Sequence, residues 1–244
     1  MSTAWPVARI SAMPTPSASR PIPFDRSRQA SPQVFERLRD MILSLELVPG
    51  TVLSRAELAA QFGLSQTPIR DALIRLGEEG LVDIFPQHAT VVSHIDADAA
   101  TQAQFLRRSI EAEVVLTLAS QPDAALLRQL RAQIDVQTAL MGSAAYLEFI
   151  AADRAFHRLM YVAAGVPDLF DLVRQRSGHV DRLRMLNLPS IGKQRAIVRD
   201  HRRIVDAIAS GDAATAQASL REHLSGTLGQ IDTIRQAHPG YFSA

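Results

Sequence analysis

Apolar residues recur at helical spacing over most of the second half of the chain. From about residue 97 to residue 236 they return every three or four positions, which is the spacing of one helix face. Prolines and glycines interrupt the pattern at intervals. It predicts six helices, over residues 97–120, 123–141, 143–164, 167–187, 193–210 and 212–236. Short connections between six helices favour a compact antiparallel bundle.

The preceding segment, residues 31–95, has a different pattern of short helices and a hairpin. One helix begins at Ser31-Pro32, and a second ends at Gly63. Ser65-Gln66-Thr67-Pro68 then opens a third, because Ser or Thr can cap a helix and proline fits its first turn. Two runs of β-branched and apolar residues, 81–84 and 90–93, follow as predicted strands. The predicted fold is therefore mostly α, with an N-terminal winged helix-turn-helix followed by an all-helical antiparallel bundle.

Polar side chains at the start of the third helix predict DNA binding. A recognition helix places such residues against base edges in the major groove. The candidate DNA contacts are Arg55, Ser65, Gln66, Thr67 and Arg70, with Gln87 and His88 at the hairpin tip. Gln66 would read adenine better than guanine. An ordinary helical hairpin followed by a β-hairpin is the alternative interpretation.

The text LAAQFGLSQTPIRDALIRLGEEGLV resembles the winged helix-turn-helix of the GntR superfamily of bacterial transcriptional regulators. The resemblance covers about residues 31–95. It implies that Arg70 contacts DNA and that Ser65 and Thr67 are its polar neighbours. Two positions depart from the family pattern: Gln66 stands where Arg is common, and Ala89 where Gly is common. We therefore expect an operator that differs from the usual family sequence.

Composition restricts the class of protein. The 244 residues are 47% hydrophobic, which is typical of a globular chain. The absence of cysteine excludes disulfides and thiolate metal sites and fits a reducing, cytoplasmic location. No apolar run reaches the roughly 18–20 residues that span a bilayer, so we expect no membrane partner. Because the net charge is only +1, DNA affinity must come from local placement of arginines, doubled in a homodimer.

The chain divides into three predicted segments. Residues 1–30 are rich in Pro, Ser and Arg and predict a disordered arm, whose arginines could add phosphate contacts. Residues 31–95 form the predicted DNA-binding domain. After Asp96-Ala97-Asp98, which resembles a linker running into a helix cap, residues 97–236 form a predicted domain that binds metal and effector.

Four ionisable residues fall on apolar helix faces of the predicted bundle. Asp153 and His157 are four positions apart and share a face, and His201 and His223 lie on apolar faces of later helices. Buried ionisable groups are costly unless something satisfies them. A divalent metal would do so, and three imidazoles with one carboxylate suit zinc, nickel, manganese or iron. Hydrogen-bonded core histidines are the alternative.

A second resemblance bears on these residues. The texts ADRAFHRLMYVAAGVPDL and DHRRIVDAIASGDAATAQASLREHL resemble the FCD-type ligand-sensing domain of the FadR branch of GntR regulators, over about residues 100–230. It implies that Asp153, His157, His201 and His223 bind a metal. Arg107 matches a family position that faces the pocket. Val166 departs from the pattern, because Asn is usual there.

The charge of such a centre predicts an anionic effector. A divalent ion with one carboxylate and three neutral imidazoles keeps a net +1. A small carboxylate or sugar acid would fill its open positions, and Arg107 would hold the carboxylate. His179 and Arg182 are further candidates for the pocket, with surface or interhelix contacts as the alternative.

The sequence predicts a homodimeric transcriptional regulator that reads an inverted repeat, most simply a repressor released by its effector. Effector binding would shift the spacing of the two DNA-reading units. A sensor in which the metal itself is the signal is the main alternative. A metal-dependent hydrolase is disfavoured, because we find no HExxH, nucleophile elbow or phosphate-binding glycine loop. We therefore assign no catalytic residue and expect no enzyme.

Overall fold

The computed structural model describes residue 25, residues 29–86 and residues 88–243. Nearly all of the predicted arm over residues 1–30, and Gln87 of the hairpin tip, lie outside these ranges. No helix in the described ranges is both long enough and apolar enough to cross a membrane.

The N-terminal part is a winged helix-turn-helix, as predicted. Its elements are α1 (Ala30–Leu43), β1 (Val52–Leu53), α2 (Arg55–Phe62), α3 (Gln66–Glu78), β2 (Val82–Phe85) and β3 (Ala89–Val92). The strands form an antiparallel sheet in the order β1-β3-β2, in which Val82 is opposite Val92 and Val52 is opposite Val91. β1 was not predicted, because two residues carry no detectable alternation. Gly63 adopts a left-handed conformation (φ 64°) and ends α2.

The C-terminal part is the predicted all-helical bundle. Its helices are α4 (Ala97–Ser120), α5 (Ala124–Leu140), α6 (Tyr146–Ala163), α7 (Pro167–Arg176), α8 (Gly178–Asn187), α9 (Lys193–Ala209), α10 (Ala213–Ser225) and α11 (Ile231–Ala237). Three of these helices begin after an aspartate that serves as the N-cap. The side chains of Asp96, Asp123 and Asp212 accept hydrogen bonds from backbone N–H groups of the first turn.

Two of the six predicted helices are each divided in the structure. The segment 167–187 breaks at Ser177, where Gly178 packs so closely against Leu81 that a Cβ there would lie 2.6 Å from the leucine Cδ2. The segment 212–236 breaks after Ser225, and a 3-10 turn over Leu228–Gln230 precedes α11. Gly226 and Gly229 lie in this break, which fits the low helix propensity of glycine.

The apolar interior consists of three clusters. The largest lies within the bundle and draws on α4, α5, α6, α9 and α10. A second fills the winged helix-turn-helix. The third lies at the connection between the two parts, where Ile95 packs with Leu183, Ile234 and Phe242. The backbone of Ile95 also pairs with the C-terminal segment, since its N–H donates to the Tyr241 carbonyl at 2.7 Å.

Candidate functional site

Four side chains from three helices meet inside the bundle. Asp153 and His157 lie one turn apart on α6, His201 lies on α9 and His223 on α10. Each contributes one oxygen or nitrogen atom, and these four atoms all lie within 4.8 Å of one another. Asp153, His157 and His201 are at most 1% exposed. We refer to the four residues as the metal-candidate cluster.

The imidazole Nε2 atoms of the cluster point at one another. His223 Nε2 lies 3.2 Å from His201 Nε2 and 3.3 Å from His157 Nε2. Asp153 Oδ1 is 3.5 Å from His201 Nε2. Three ring nitrogens and a carboxylate oxygen therefore converge on one point.

The outward-facing ring nitrogens lie beside oxygen atoms on neighbouring helices. His157 Nδ1 is 2.9 Å from Glu111 Oε2 on α4, and His201 Nδ1 is 2.8 Å from Gln137 Oε1 on α5. His223 Nδ1 is 3.9 Å from Asp200 Oδ2, which is beyond hydrogen-bond distance, and among these three contacts only that of His201 with Gln137 has hydrogen-bond geometry. Metal-bound histidines typically donate their second N–H to such groups, which fixes the ring orientation and leaves Nε2 free to coordinate.

Asp153 divides its two oxygens between different roles. Oδ2 forms an ion pair with Arg184 of α8, whereas Oδ1 is buried and accepts no hydrogen bond from any described group. An unsatisfied buried carboxylate oxygen that faces three imidazoles is costly unless a cation neutralises it. Burial would raise the pKa of Asp153, but the charge of Arg184, with smaller contributions from the histidines, holds it well below its ordinary value.

Burial also keeps two of the histidines neutral. It lowers the pKa of His201 to about 3, and it holds the pKa of His223 well below the ordinary value, with the neighbouring imidazoles adding to the effect. Neutral imidazoles and an ionised carboxylate are the protonation states that bind metal ions. The donor set, the Gln137 partner of His201 and the unsatisfied Asp153 Oδ1 therefore fit a divalent transition metal.

Arg107 of α4 lies beside the cluster, at the position that the sequence analysis proposed. Its Nε donates to Glu111 Oε1 at 2.7 Å. Burial opposes ionisation of Glu111, but Arg107 and His157 lower its pKa to about 2. Arg107, Arg184, Asp153 and His157 line a small cavity. The free volume of this cavity is about 40 Å³.

Glu111, Gln137 and Arg184 were missed by the sequence analysis. For Glu111 a signal existed, because it follows Arg107 by four residues and shares its helix face. Gln137 and Arg184 could not be found in this way, since their partners His201 and Asp153 are 64 and 31 residues away in the sequence.

His179 and Arg182 do not line the small cavity beside the cluster, contrary to the expectation from the sequence. They lie on the face of α8 that meets the DNA-binding part. His179 Nδ1 accepts a hydrogen bond from the Asp96 N–H at 3.0 Å. Arg182 is fully buried and donates to the carbonyl and hydroxyl of Ser93. The reason is the break at Ser177, which starts a new helix against the linker.

The candidate DNA contacts share one surface. A groove between α3 and the β-hairpin is lined by Arg55, Gln66, Arg70 and His88. All four side chains are exposed, as are Ser65 and Thr67 at the start of α3. Gln87 lies outside the described residues. This surface combines a helix N-terminus with cationic and amide donors, which are the groups that contact phosphates and base edges.

Two family models match the chain, one in each part. The model described as "Bacterial regulatory proteins, gntR family" matches residues 30–92, and the model described as "FCD domain" matches residues 102–226. The second match alone covers half of the chain.

Two relatives whose names describe HTH-type transcriptional regulators match this chain over most of their length. An uncharacterized HTH-type transcriptional regulator in an unstable DNA locus of Streptomyces ambofaciens is 36% identical over 218 residues, covering 86% of this chain and 88% of that protein. The HTH-type transcriptional repressor RspR of Escherichia coli K12 is 28% identical over 211 residues, covering 86% of this chain and 92% of that protein.

A solved structure supports the fold. E. coli McbR/YncC has a TM-score of 0.72 at 20% identity and covers 86% of this chain and 99% of its own. The gntR model describes bacterial regulatory proteins, and both relatives are named as HTH-type transcriptional regulators or repressors rather than as enzymes. The chain therefore belongs to the GntR family of bacterial regulatory proteins and carries an FCD domain behind its winged helix-turn-helix.

Proposed function

We propose that this regulator is a cytoplasmic homodimeric repressor whose operator affinity is set by a small carboxylate or sugar acid bound beside a metal. The DNA-reading domain would span residues 31–95 and the sensing domain residues 97–236. The observation that carries the proposal is the metal-candidate cluster, in which three imidazole nitrogens and one unsatisfied carboxylate oxygen converge.

Asp153, His157, His201 and His223 would hold the divalent ion. When bound, it supplies a Lewis acid whose remaining positions accept oxygen ligands. The mixed nitrogen and oxygen donor set suits zinc first, with nickel, manganese and iron as alternatives. Gln137 would fix the His201 ring through a hydrogen bond, the Glu111 carboxylate would lie against His157, and Arg184 would hold the Asp153 carboxylate.

The cationic groups beside the cluster favour an anionic effector. Arg107 and Arg184 line the small cavity, and Arg154 and Arg174 complete its cationic side. A guanidinium holds a carboxylate through two parallel N–H donors. The free volume of about 40 Å³ has room for a few water molecules but not for an organic acid, so side chains must move when the effector enters.

Helix α8 connects this cavity to the DNA-binding part. Arg184 faces the cluster. On the other face of α8, His179 accepts a hydrogen bond from the Asp96 N–H, and Arg182 donates one to the Ser93 carbonyl just after the wing. A second contact joins the two parts, because Arg39 of α1 donates to the Arg174 carbonyl at the end of α7. An effector that displaces Arg184 would therefore shift the helix that positions the DNA-reading unit.

In a dimer, two such units would read an inverted repeat, each half-site facing one recognition helix. An effector that favours one spacing of the units by about 1–3 kcal/mol would change operator affinity roughly 5- to 150-fold. The name of the E. coli relative, a repressor, supports repression as the sign of the response.

Metal content and thermal stability test the proposal. We expect about one divalent ion per chain in the wild type and none in the His201→Ala/His223→Ala variant, measured by elemental analysis. Hydroxy acids and sugar acids should raise the unfolding midpoint of the metal-loaded protein but not of chelator-treated protein. Full metal retention by the variant would refute the site.

The alternative is a regulator that senses the metal ion itself. The small volume of the cavity beside the cluster favours this alternative, because an organic acid does not fit without rearrangement. In that case metal alone would change operator affinity, and no acid would shift the unfolding midpoint further.

A further inference from the structure

A second and much larger cavity lies on the other side of His223. It has a volume of about 700 Å³, and its walls come from the end of α8, the start of α9, the end of α10 and one face of α11. Small-molecule sites in proteins typically measure about 300–1,000 Å³. The volume is therefore sufficient for an organic ligand without rearrangement.

The large cavity is separate from the metal-candidate cluster. Asp153, His157 and His201 do not line it. His223 does, but its Nε2 is directed at His157 and His201, and its Nδ1 lies beside Asp200, which also lines the cavity. A ligand there would meet the outer edge of His223 and not the donor atoms of the cluster.

The polar groups of the large cavity offer donors without partners. Its two carboxylates are engaged, because Asp200 pairs with Arg199 at 2.8 Å and Glu222 pairs with Arg203 at 2.8 Å. Within the described residues no carboxylate lies within ion-pair distance of Lys193; burial and the charge of Arg184 lower its pKa, against an opposing electrostatic effect of Asp200 and Asp153.

Asn187 adds a second donor. It is 4% exposed, and its Nδ2 is buried without a hydrogen-bond partner in the described structure. A buried donor without an acceptor is costly, so Asn187 favours a ligand that brings oxygen atoms, and the half-buried Lys193 ammonium adds a positive charge beside it.

The rest of the wall is apolar. Ile197 of α9 and Ile234 of α11 face the cavity, with Leu186, Ala196 and Ala237. Ile234 also packs in the cluster that contains Ile95 of the interdomain connection and Phe242 of the C-terminal segment. The cavity therefore borders an element that contacts the linker to the DNA-binding part.

We propose that the large cavity is a second ligand site that takes a small organic acid, independently of the metal centre. The carboxylate would lie between the Lys193 ammonium and the Asn187 amide N–H. The hydrocarbon part would lie between α9 and α11, against Ile197 and Ile234. A carboxylate supplies the acceptors that both donors lack, and an apolar body of about six to eight carbons matches the rest of the wall.

Calorimetric titration with a panel of probes tests this site. The probes are the straight-chain carboxylates from butanoate to octanoate and benzoate, each beside its uncharged primary amide. We expect the carboxylates to bind the wild type at least tenfold more tightly than the amides. Lys193→Gln should weaken carboxylate binding at least tenfold, and Asn187→Ala should weaken it as well.

Two controls make the outcome decisive. Arg195→Gln removes an exposed cation two residues from Lys193 and should leave the affinity unchanged. Chelator-treated protein should bind the carboxylates as well as metal-loaded protein does. Equal affinity in Lys193→Gln, no binding by any carboxylate, or binding that requires the metal would each overturn the proposal. Because the site needs no metal, its failure would leave the proposed effector site at the cluster untouched.

Discussion

Glu111 lies between a candidate metal ligand, His157, and a candidate effector ligand, Arg107. One carboxylate oxygen accepts from Arg107 and the other lies 2.9 Å from His157 Nδ1, so a single buried side chain orients a candidate metal ligand and a candidate effector ligand. Partners of this kind influence metal affinity without touching the metal.

Glu111→Gln should therefore weaken metal binding by about 10- to 100-fold, because a neutral amide orients and polarises His157 less well than a carboxylate. Competition against a chromogenic chelator measures the affinity. Glu113→Gln, an exposed neighbour on the same helix, is the matched control and should bind metal as the wild type does. Unchanged affinity in Glu111→Gln would contradict the role assigned to this carboxylate.

His179 gives the interdomain contact a pH dependence. Burial, with the charge of Arg182, lowers its pKa from 6.5 to about 4. Between these values the unfolded chain binds a proton that the folded protein excludes. The free energy of unfolding should therefore fall as the pH drops from 6.5 towards 4, by up to about 1.4 kcal/mol per pH unit.

Urea denaturation of metal-free protein at pH 7 and pH 5 measures this effect. His179→Gln should lose less stability between the two values than the wild type does. His94→Gln, which removes an exposed histidine near the same linker, should behave as the wild type. A pH dependence identical in His179→Gln and the wild type would show that this imidazole is not the group responsible.

Among the elements, helix α3 and the wing form the surface that we propose reads DNA. Arg70 is exposed on α3 and lines the same groove as Arg55 and His88. Arg70→Ala should reduce affinity for an operator selected from random DNA by at least about tenfold, which corresponds to the loss of roughly 1–3 kcal/mol. Fluorescence anisotropy measures the affinity.

The matched control for that experiment is Arg128→Ala, which removes an exposed arginine from α5 in the bundle. It should bind the operator with wild-type affinity. If both variants bound equally well, α3 would not be the recognition helix.

The spacing of apolar residues predicted where the helices lie, but it did not predict which helices pack against each other. The spacing of Asp153 and His157 placed both on one face of a helix, and the structure has that helix as α6. Apolar spacing cannot show which helices are neighbours, so Gln137 and Arg184 were not predicted. The break at Ser177 was also hidden, because its cause is the close approach of Gly178 to Leu81, nearly a hundred residues away. After that break, His179 and Arg182 lie on the face of α8 that contacts the linker.

In the whole molecule, α8 contacts both the metal-candidate cluster and the segment that follows the wing. Its Arg184 contacts the metal-candidate cluster, and its Arg182 contacts the last residues of the wing. The C-terminal segment reaches the same connection through Ile95. The α8 residues that contact the linker are therefore not those that contact the cluster, whereas Ile234 borders both the large cavity and the apolar cluster that contains Ile95.

Operator affinity measured with and without metal, across a panel of hydroxy acids and sugar acids, distinguishes an effector that acts through the metal from one that does not. For metal-loaded wild type we predict that at least one acid lowers the affinity by about 5- to 150-fold. The same acid should have no effect on chelator-treated protein or on Asp153→Asn. A full change produced by metal alone, or an acid that acts equally without metal, would contradict metal-dependent sensing of an acid.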